Sequence, residues 1–213
     1  TNISAMWNVA AKFLGLLLLV STLAGCASVD PVVKIGLVAP FEGRHRAIGY
    51  DALYAARLAV REINAAGGIG GYRVALVALD DRGDAQLARD AAASLVVDPS
   101  VVAVVGHYLP ETTGAARPIY EDGGLPLVTM GDAPFAAFDP DQLPAEFHAA
   151  YNAVTPFDEV AGPYAGPTHD AFGLLAAALA KAEESSGTIT HSSVQEALGG
   201  LKYVGVTGEI TWP

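Results

Sequence analysis

An apolar run, Val32-Val33-Lys34-Ile35-Gly36-Leu37-Val38, ends shortly before Pro40 and contains only one charged side chain. Short runs rich in β-branched residues and without polar alternation predict a strand that is buried on both faces. In the next segment, from about 47 to 66, the apolar residues recur with the period of an α-helix. Its apolar stripe consists of Leu53, Ala56, Val60 and Ile63. A strand followed by an amphipathic helix is the unit from which parallel sheets are built.

The same alternation of strand and helix continues along the chain. Further strands are predicted at 74–79, 101–105 and 127–129, and further helices at 84–97, with Asp84 as its N-cap, and at 112–121. Because each strand is nearly all apolar, the sequence predicts an α/β fold with a parallel, doubly wound sheet flanked by helices.

The second part of the chain begins with a loop from 130 to 144. Helices are predicted at 145–153 and 167–184, followed by a short helix that a capping box at Ser193-Val194-Gln195-Glu196 opens. Residues 203–212 predict a last strand or a hairpin, because Gly205 and Gly208 interrupt the segment.

The composition excludes several classes of function. The chain has 213 residues and a net charge of −11, since 23 acidic side chains outnumber 12 basic ones. Such a surface repels phosphate backbones, so we expect no nucleic-acid partner. A single cysteine excludes an internal disulfide and a cysteine-rich zinc site, and the five histidines show no paired ligand spacing. We therefore predict no metal and no cofactor.

Residues 1–25 have the pattern of a signal peptide. The apolar segment 13–24 has 12 residues, whereas a membrane-spanning helix needs about 20. Leu23-Ala24-Gly25-Cys26 resembles a bacterial lipobox, in which a peptidase cuts before a lipid-modified cysteine; the alternative is an ordinary secretory signal. We expect an exported protein that lipid on Cys26 anchors at the cell envelope, on the periplasmic or extracytoplasmic face.

Several motifs resemble one family. They are Lys34-Ile35-Gly36-Leu37-Val38-Ala39-Pro40, the segment Ala59-Val60-Arg61-Glu62-Ile63-Asn64-Ala65-Ala66-Gly67-Gly68-Ile69-Gly70-Gly71, Asp80-Asp81, Gly106-His107-Tyr108, Ile119-Tyr120-Glu121-Asp122-Gly123-Gly124, Thr168-His169-Asp170-Ala171-Phe172 and Gly205-Val206-Thr207-Gly208. Together they resemble the type I periplasmic solute-binding proteins, specifically the leucine/isoleucine/valine-binding branch that serves ABC importers of branched-chain amino acids.

The resemblance implies an organisation that differs from the usual one. Such binders have two lobes and run to nearly twice the length of this chain without its signal peptide. Here the first-lobe pattern ends near Phe138, and the chain then resembles the return segment. We expect residues 26–138 to form most of one lobe and 139–213 to complete it. Most of the second lobe would then be missing, through a natural deletion or an incomplete gene product.

Ligands of open parallel sheets bind beyond the carboxyl ends of the strands. The resemblance implies a small solute such as an amino acid at this edge, with ABC permease subunits as partners. The candidate ligand-binding residues are Phe41, Ile48, His107, Tyr108, Thr112, Thr113, Gly131 and Asp132.

Several of these residues have two interpretations. Pro110 and Ala133 stand where the family typically has hydroxyl side chains. Thr112 and Thr113 either replace those hydroxyls or cap a helix. Asp132 either pairs with an ammonium group or is a solvated loop acid, and His107 either contacts the ligand or has a structural role.

The leading hypothesis is a substrate-binding lipoprotein of an ABC importer, whose single lobe binds amino acids weakly because much of the ligand stays in water. One alternative is an interaction or sensing module derived from such a lobe. Another is an exported hydrolase on a flavodoxin-like sheet. The sequence contains no G-x-S-x-G, Walker or H-E-x-x-H motif, so we predict that the protein is not an enzyme.

Overall fold

The computed structural model describes residues 30–156 and 159–213. The signal peptide predicted at 1–25 and the lipidation predicted at Cys26 lie outside the described residues. None of the helices in the described part of the chain is both long and apolar enough to cross a membrane.

The central feature is a sheet of four parallel strands in the order β2-β1-β3-β4. The strands are β1 (Val32–Ala39), β2 (Arg73–Asp80), β3 (Val101–Gly106) and β4 (Leu127–Val128). Every predicted strand of the first part is present, and all are parallel. The α/β prediction is therefore confirmed.

Six helices and a hairpin complete the described fold. The helices are α1 (Arg46–Ala65), α2 (Ala85–Val96), α3 (Pro110–Asp122), α4 (Ala145–Asn152), α5 (Ala165–Ser186) and α6 (His191–Leu198). Strands β5 (Lys202–Gly205) and β6 (Gly208–Thr211) pair antiparallel, which confirms the hairpin alternative for the end of the chain. One 3-10 turn, Pro140–Gln142, lies in the loop before α4.

Helices cover the sheet on both faces. Leu37 and Val105 are fully buried in a core that α1 and α5 share. Val38 and Val104, their neighbours in sequence, are fully buried in a second core with α2 and α3. Successive residues of a strand point to opposite faces, so burial of both sets explains why β3, and β1 apart from Lys34, are apolar.

One predicted cap is correct and one is wrong. The Asp84 carboxylate accepts hydrogen bonds from the backbone N–H groups of Gln86 and Leu87, as an N-cap should. The capping box was predicted to begin at Ser193. Instead, Thr190 is the N-cap, and Ser193 supplies the hydroxyl that accepts from the Thr190 N–H at 2.9 Å. A hydroxyl thus replaces the glutamate that the predicted pattern required, and α6 begins two residues earlier than Ser193.

A buried carboxylate attaches the terminal hairpin to α5. Asp170 is fully buried, and it accepts hydrogen bonds from the backbone N–H groups of Val206 and Thr207, both at 2.8 Å. The Thr207 hydroxyl also donates to it. A Cβ at Gly205 would collide with this carboxylate, so the turn requires glycine there. Two motifs that lie far apart in sequence therefore meet at one carboxylate.

We predict that Asp170→Ala destabilises the protein by about 2–4 kcal/mol, since it leaves two backbone N–H groups without their charged acceptor. Chemical denaturation of the full chain measures the loss. The control is Asp122→Ala, at an exposed position at the end of α3, which should change the free energy of unfolding by less than about 0.5 kcal/mol. Equal effects of the two substitutions would contradict the role of Asp170.

Candidate functional site

A cavity of about 430 Å³, the rim cavity, opens beyond the carboxyl ends of β3 and β4. Four of the predicted site residues line it: Tyr108, Thr113, Gly131 and Asp132. Asp132 is exposed on the loop after β4. The topology brings these residues together because β3 and β4 are adjacent and parallel, so that the segments following them share one edge.

The rim cavity combines polar and apolar groups. Arg117 of α3 is exposed at its wall and supplies a guanidinium group, whereas Asp132 supplies a carboxylate. Thr113 lines the cavity, and its hydroxyl donates to the His107 carbonyl oxygen at 3.2 Å. Met130 and Tyr164 contribute apolar surface. A site with one cationic and one anionic group can hold a small dipolar solute.

Ile48 lies in a neighbouring cavity of about 630 Å³, the tyrosine cavity. Three tyrosines, Tyr50, Tyr151 and Tyr164, line it together with Ile48. Because Tyr164 lines both cavities, the two adjoin at this residue. The sequence predicted one site that included Ile48; the structure places Ile48 and Asp132 in the linings of two different cavities.

The structure places His107 away from both cavities. Its ring is fully buried, with Nδ1 at 2.7 Å from Asp81 Oδ2 and Nε2 at 3.3 Å from the Tyr120 hydroxyl. Of the two interpretations of His107, this geometry fits the structural one, since a buried imidazole must satisfy both nitrogens within the protein. The prediction of a ligand contact by His107 is thus corrected.

Thr112 and Phe41 also serve the fold in this structure. Thr112 is buried, and its hydroxyl donates to the Leu109 carbonyl oxygen at 3.1 Å, within the first turn of α3. Phe41 packs against the main core, and its backbone N–H donates to Asp80 Oδ1 at 2.8 Å. Both residues follow strands, as predicted, but their side chains turn inward because the loops close over the ends of the core.

Asp51 organises the site and was missed from the sequence. It is a buried residue of α1 and accepts hydrogen bonds from the Tyr151 hydroxyl at 3.2 Å and from the backbone N–H groups of Gly162 and Tyr164 at 2.9 and 2.6 Å. Burial raises the pKa of the Asp51 carboxyl, and these hydrogen bonds act in the opposite direction. The sequence contained a signal for its burial, because helical spacing puts Asp51 on the same face of α1 as Tyr54 and Leu58, both of which are buried.

Tyr164 is held from two sides. Asp51 fixes its backbone, and its ring meets the Tyr108 ring edge-on, with 5.5 Å between the centroids. The Tyr108 hydroxyl is bonded in turn to Thr168 Oγ1 at 2.8 Å. Burial raises the pKa of Tyr108, so this phenol stays neutral at physiological pH. Tyr164, which lines both cavities, is therefore held at its backbone and at its ring.

Residues 32–142, which are more than half of the chain, match the family described as periplasmic binding protein. The chain belongs to this family. Among the residues that the structure describes, no group of three or more histidine, cysteine or acidic side chains could hold a metal ion. The fold and the family both correspond to a type I periplasmic binding protein.

Curated relatives of this periplasmic binding protein are longer. The leucine-, isoleucine-, valine-, threonine-, and alanine-binding protein of Pseudomonas aeruginosa is 32% identical over 147 residues, which cover 68% of this chain and 38% of that protein. The Leu/Ile/Val-binding protein of Escherichia coli K12 is 35% identical over 97 residues, covering 46% of this chain and 26% of that protein. The chain thus spans less than two-fifths of the length of either relative.

Solved structures of the family share the fold. A putative branched-chain amino acid ABC transporter from Rhodospirillum rubrum superimposes with a TM-score of 0.71 at 19% identity, covering 83% of this chain and 92% of that chain. The substrate-binding protein LivJ from Streptococcus pneumoniae, in complex with isoleucine, gives a TM-score of 0.70 at 16% identity, covering 85% and 92%. At these identities the likeness supports the fold.

Asp51→Asn should destabilise the protein at neutral pH by about 1–3 kcal/mol, because an amide cannot accept from all three donors. A carboxyl with a raised pKa binds its proton more tightly in the folded state. Its contribution to stability is therefore greatest in acid and is lost as the pH rises from its ordinary value of 3.8 through the raised one.

The difference in stability between the native protein and Asp51→Asn should consequently grow as the pH falls through the raised pKa towards 3.8. Denaturation curves of both proteins at a series of pH values measure this difference. A difference that shrinks on acidification would contradict the assignment.

Proposed function

We propose that the chain binds a branched-chain amino acid or a similar small solute in the rim cavity, at the carboxyl ends of β3 and β4, as the substrate-binding component of an ABC importer. The observation that carries the proposal is the meeting of Thr113, Gly131 and Asp132 in one cavity at this edge. The names of the relatives, which describe binding of leucine, isoleucine and valine, support the ligand class.

The charges of the rim cavity suit a zwitterion. We propose that Asp132 pairs with the ammonium group and Arg117 with the carboxylate, while Met130 and Tyr164 contact the side chain. Pro110 begins α3 and has no N–H to offer at the first position of the helix. The guanidinium of Arg117 supplies the positive charge that a helix N-terminus would otherwise give to the carboxylate.

We expect this chain to bind such a solute with low affinity. The rim cavity is open to solvent, whereas specific small-molecule sites bury about 70–90% of their ligand. In a two-lobed binder, closure of the second lobe would bury the solute and present the closed shape to the permease. We therefore expect dissociation constants near or above about 1 mM for this chain.

The proposal includes a place in the cell. The chain would be exported, processed before Cys26 and held at the envelope by lipid, so that ABC permease subunits are its partners. Residues 26–138 and 139–213 would together form the one lobe. The family supports export, since its members are periplasmic binding proteins.

The binding site is tested by titrating the isotope-labelled full chain with leucine, isoleucine and valine, followed by NMR. We expect shifts of the Thr113 and Gly131 amide signals, and Asp132→Asn should weaken binding about tenfold, since it removes one charge-assisted hydrogen bond. Asp122→Asn, an exposed acid remote from the cavity lining, is the matched control. Shifts of NMR signals confined to other regions would contradict the proposed binding site. A micromolar dissociation constant would contradict the expected weak binding.

The anchor is tested by fractionating bacteria that produce the full chain. The native protein should sediment with membranes, and Cys26→Ser should appear in the soluble fraction, because the acyl chains that hold the protein are lost. Ser28→Ala, two residues later, is the control and should remain with the membranes. Membrane association that survives Cys26→Ser would argue for an ordinary signal or another anchor.

A further inference from the structure

An imidazole ring lies between two carboxylates where α5 packs on α1. The His169 Nε2 atom of α5 is 2.8 Å from Glu62 Oε2 of α1, and its Nδ1 atom is 3.6 Å from Asp170 Oδ1. The His169 side chain is 14% exposed and Asp170 is fully buried, whereas the Glu62 side chain is 49% exposed. All three residues lie outside the linings of the rim and tyrosine cavities, so the cluster is separate from the proposed solute site.

A neutral imidazole ring cannot satisfy both carboxylates, because it has one N–H group and one lone pair. When Nε2 donates to Glu62, the lone pair of Nδ1 faces the Asp170 carboxylate without a proton between them. Nδ1 is indeed buried and has no hydrogen-bond partner among the residues that the structure describes, which is a costly arrangement. An imidazolium has N–H groups on both nitrogens, so a second proton on His169 gives each carboxylate a donor.

The two carboxylates differ in their freedom to leave the ring. Asp170 accepts hydrogen bonds from the backbone N–H groups of Val206 and Thr207, which hold it in place. Glu62 is half exposed, and water can replace the ring as its donor. Loss of one proton from the imidazolium therefore opens the contact with Glu62, while Asp170 stays bonded to the terminal hairpin.

The other elements around the ring bring no competing charge. On the side of α4, Phe147 meets the His169 ring edge-on at 5.3 Å between centroids. The next residue of α4, His148, has its Nε2 atom 3.0 Å from the Pro140 carbonyl oxygen. On the side of β5, burial raises the pKa of Tyr203, and the nearby carboxylates act in the same direction, so this phenol is neutral at physiological pH.

Opposing effects act on the pKa of His169. Burial lowers it, whereas the carboxylates of Asp170 and Glu62 raise it, and the result lies above the ordinary value of 6.5. The ring therefore keeps its second proton at pH values at which an isolated imidazole loses it. This direction agrees with the geometry, in which each ring nitrogen faces a carboxylate.

We propose that His169 is a proton-dependent clasp between α1 and α5. As an imidazolium it joins Glu62 of α1 to Asp170, the carboxylate that holds the terminal hairpin, and loss of its proton opens the contact with Glu62. The packing of α1 against α5 thus responds to the pH of the surroundings. This inference goes beyond the proposed function, since it requires no solute.

The experiment follows the His169 ring signals of the isotope-labelled full chain by NMR from about pH 5 to about pH 9. We expect a titration midpoint above 6.5. Glu62→Gln should lower the midpoint by about half a pH unit or more, because one of the two carboxylates loses its charge. Glu62 is replaced rather than Asp170, since Asp170 also holds the hairpin.

The matched control is Glu184→Gln, at an exposed glutamate about 22 Å from His169 along the axis of α5. It should leave the midpoint unchanged. A midpoint at or below 6.5 in the native protein would overturn the clasp. A midpoint that Glu62→Gln does not lower, or that Glu184→Gln lowers equally, would also overturn it.

Denaturation curves of the full chain test the consequence for packing. A histidine with a raised pKa stabilises the folded state fully below its ordinary value, and this contribution is lost as the pH rises through the raised value. The stability advantage of the native protein over His169→Gln should therefore be largest below pH 6.5 and shrink at higher pH.

The control for this measurement is His45→Gln, at a half-buried histidine before α1 whose side chain makes no capping hydrogen bond. Its stability should follow that of the native protein over the same pH range. A difference between the native protein and His169→Gln that stays constant with pH, or grows as the pH rises, would overturn the inference.

Discussion

Strand β1 is paired on both sides by parallel strands, and both of its faces are covered by helices. Leu37 pairs with Ala78 of β2 and with Val105 of β3, and the strand is buried from Ile35 to Ala39. Parallel strands require a crossover between each pair, so helices must lie on the faces. The same requirement brings the segments after β3 and β4 to one edge. The candidate site therefore follows from the parallel pairing of β3 with β1 on one side and with β4 on the other.

Two buried carboxylates hold the second part of the chain in place. Asp51 of α1 holds the backbone of Gly162 and Tyr164, and Asp170 of α5 holds the turn of the terminal hairpin. A buried carboxylate is tolerated when hydrogen-bond donors surround it, and backbone N–H groups provide them here. Asp51 thus fixes the segment that precedes α5, and Asp170 fixes the turn between β5 and β6.

The site is accordingly a product of two different parts of the chain. Thr113 comes from the first turns of α3 and Asp132 from the loop after β4, whereas Tyr164 comes from the segment before α5. Membership of the periplasmic binding protein family agrees with a solute site at the strand ends. The structure adds two cavities that share Tyr164 in their linings, and Asp51 holds the backbone of this tyrosine.

The sequence by itself determined the order of the elements and the parallel sheet. The apolar runs of β1 and β3, the stripe of α1 and the cap at Asp84 are local patterns, and local patterns set secondary structure through side-chain spacing. It also predicted that Tyr108, Thr113, Gly131 and Asp132 lie together, because residues that follow adjacent parallel strands share an edge, and all four line one cavity. His107, Thr112, Phe41 and Ile48 do not line that cavity, because the direction of a side chain, and not its place in the chain, decides where it lies.

Only the tertiary structure decided which side chains reach the cavities. His107 turns inward because Asp81 and Tyr120 satisfy its ring, and these partners lie 26 and 13 residues away in sequence. Asp51 meets Gly162 across 111 residues. No periodicity or spacing in the sequence encodes such a pair, since the contact exists only after the helices have packed on the sheet and excluded water from the carboxylate.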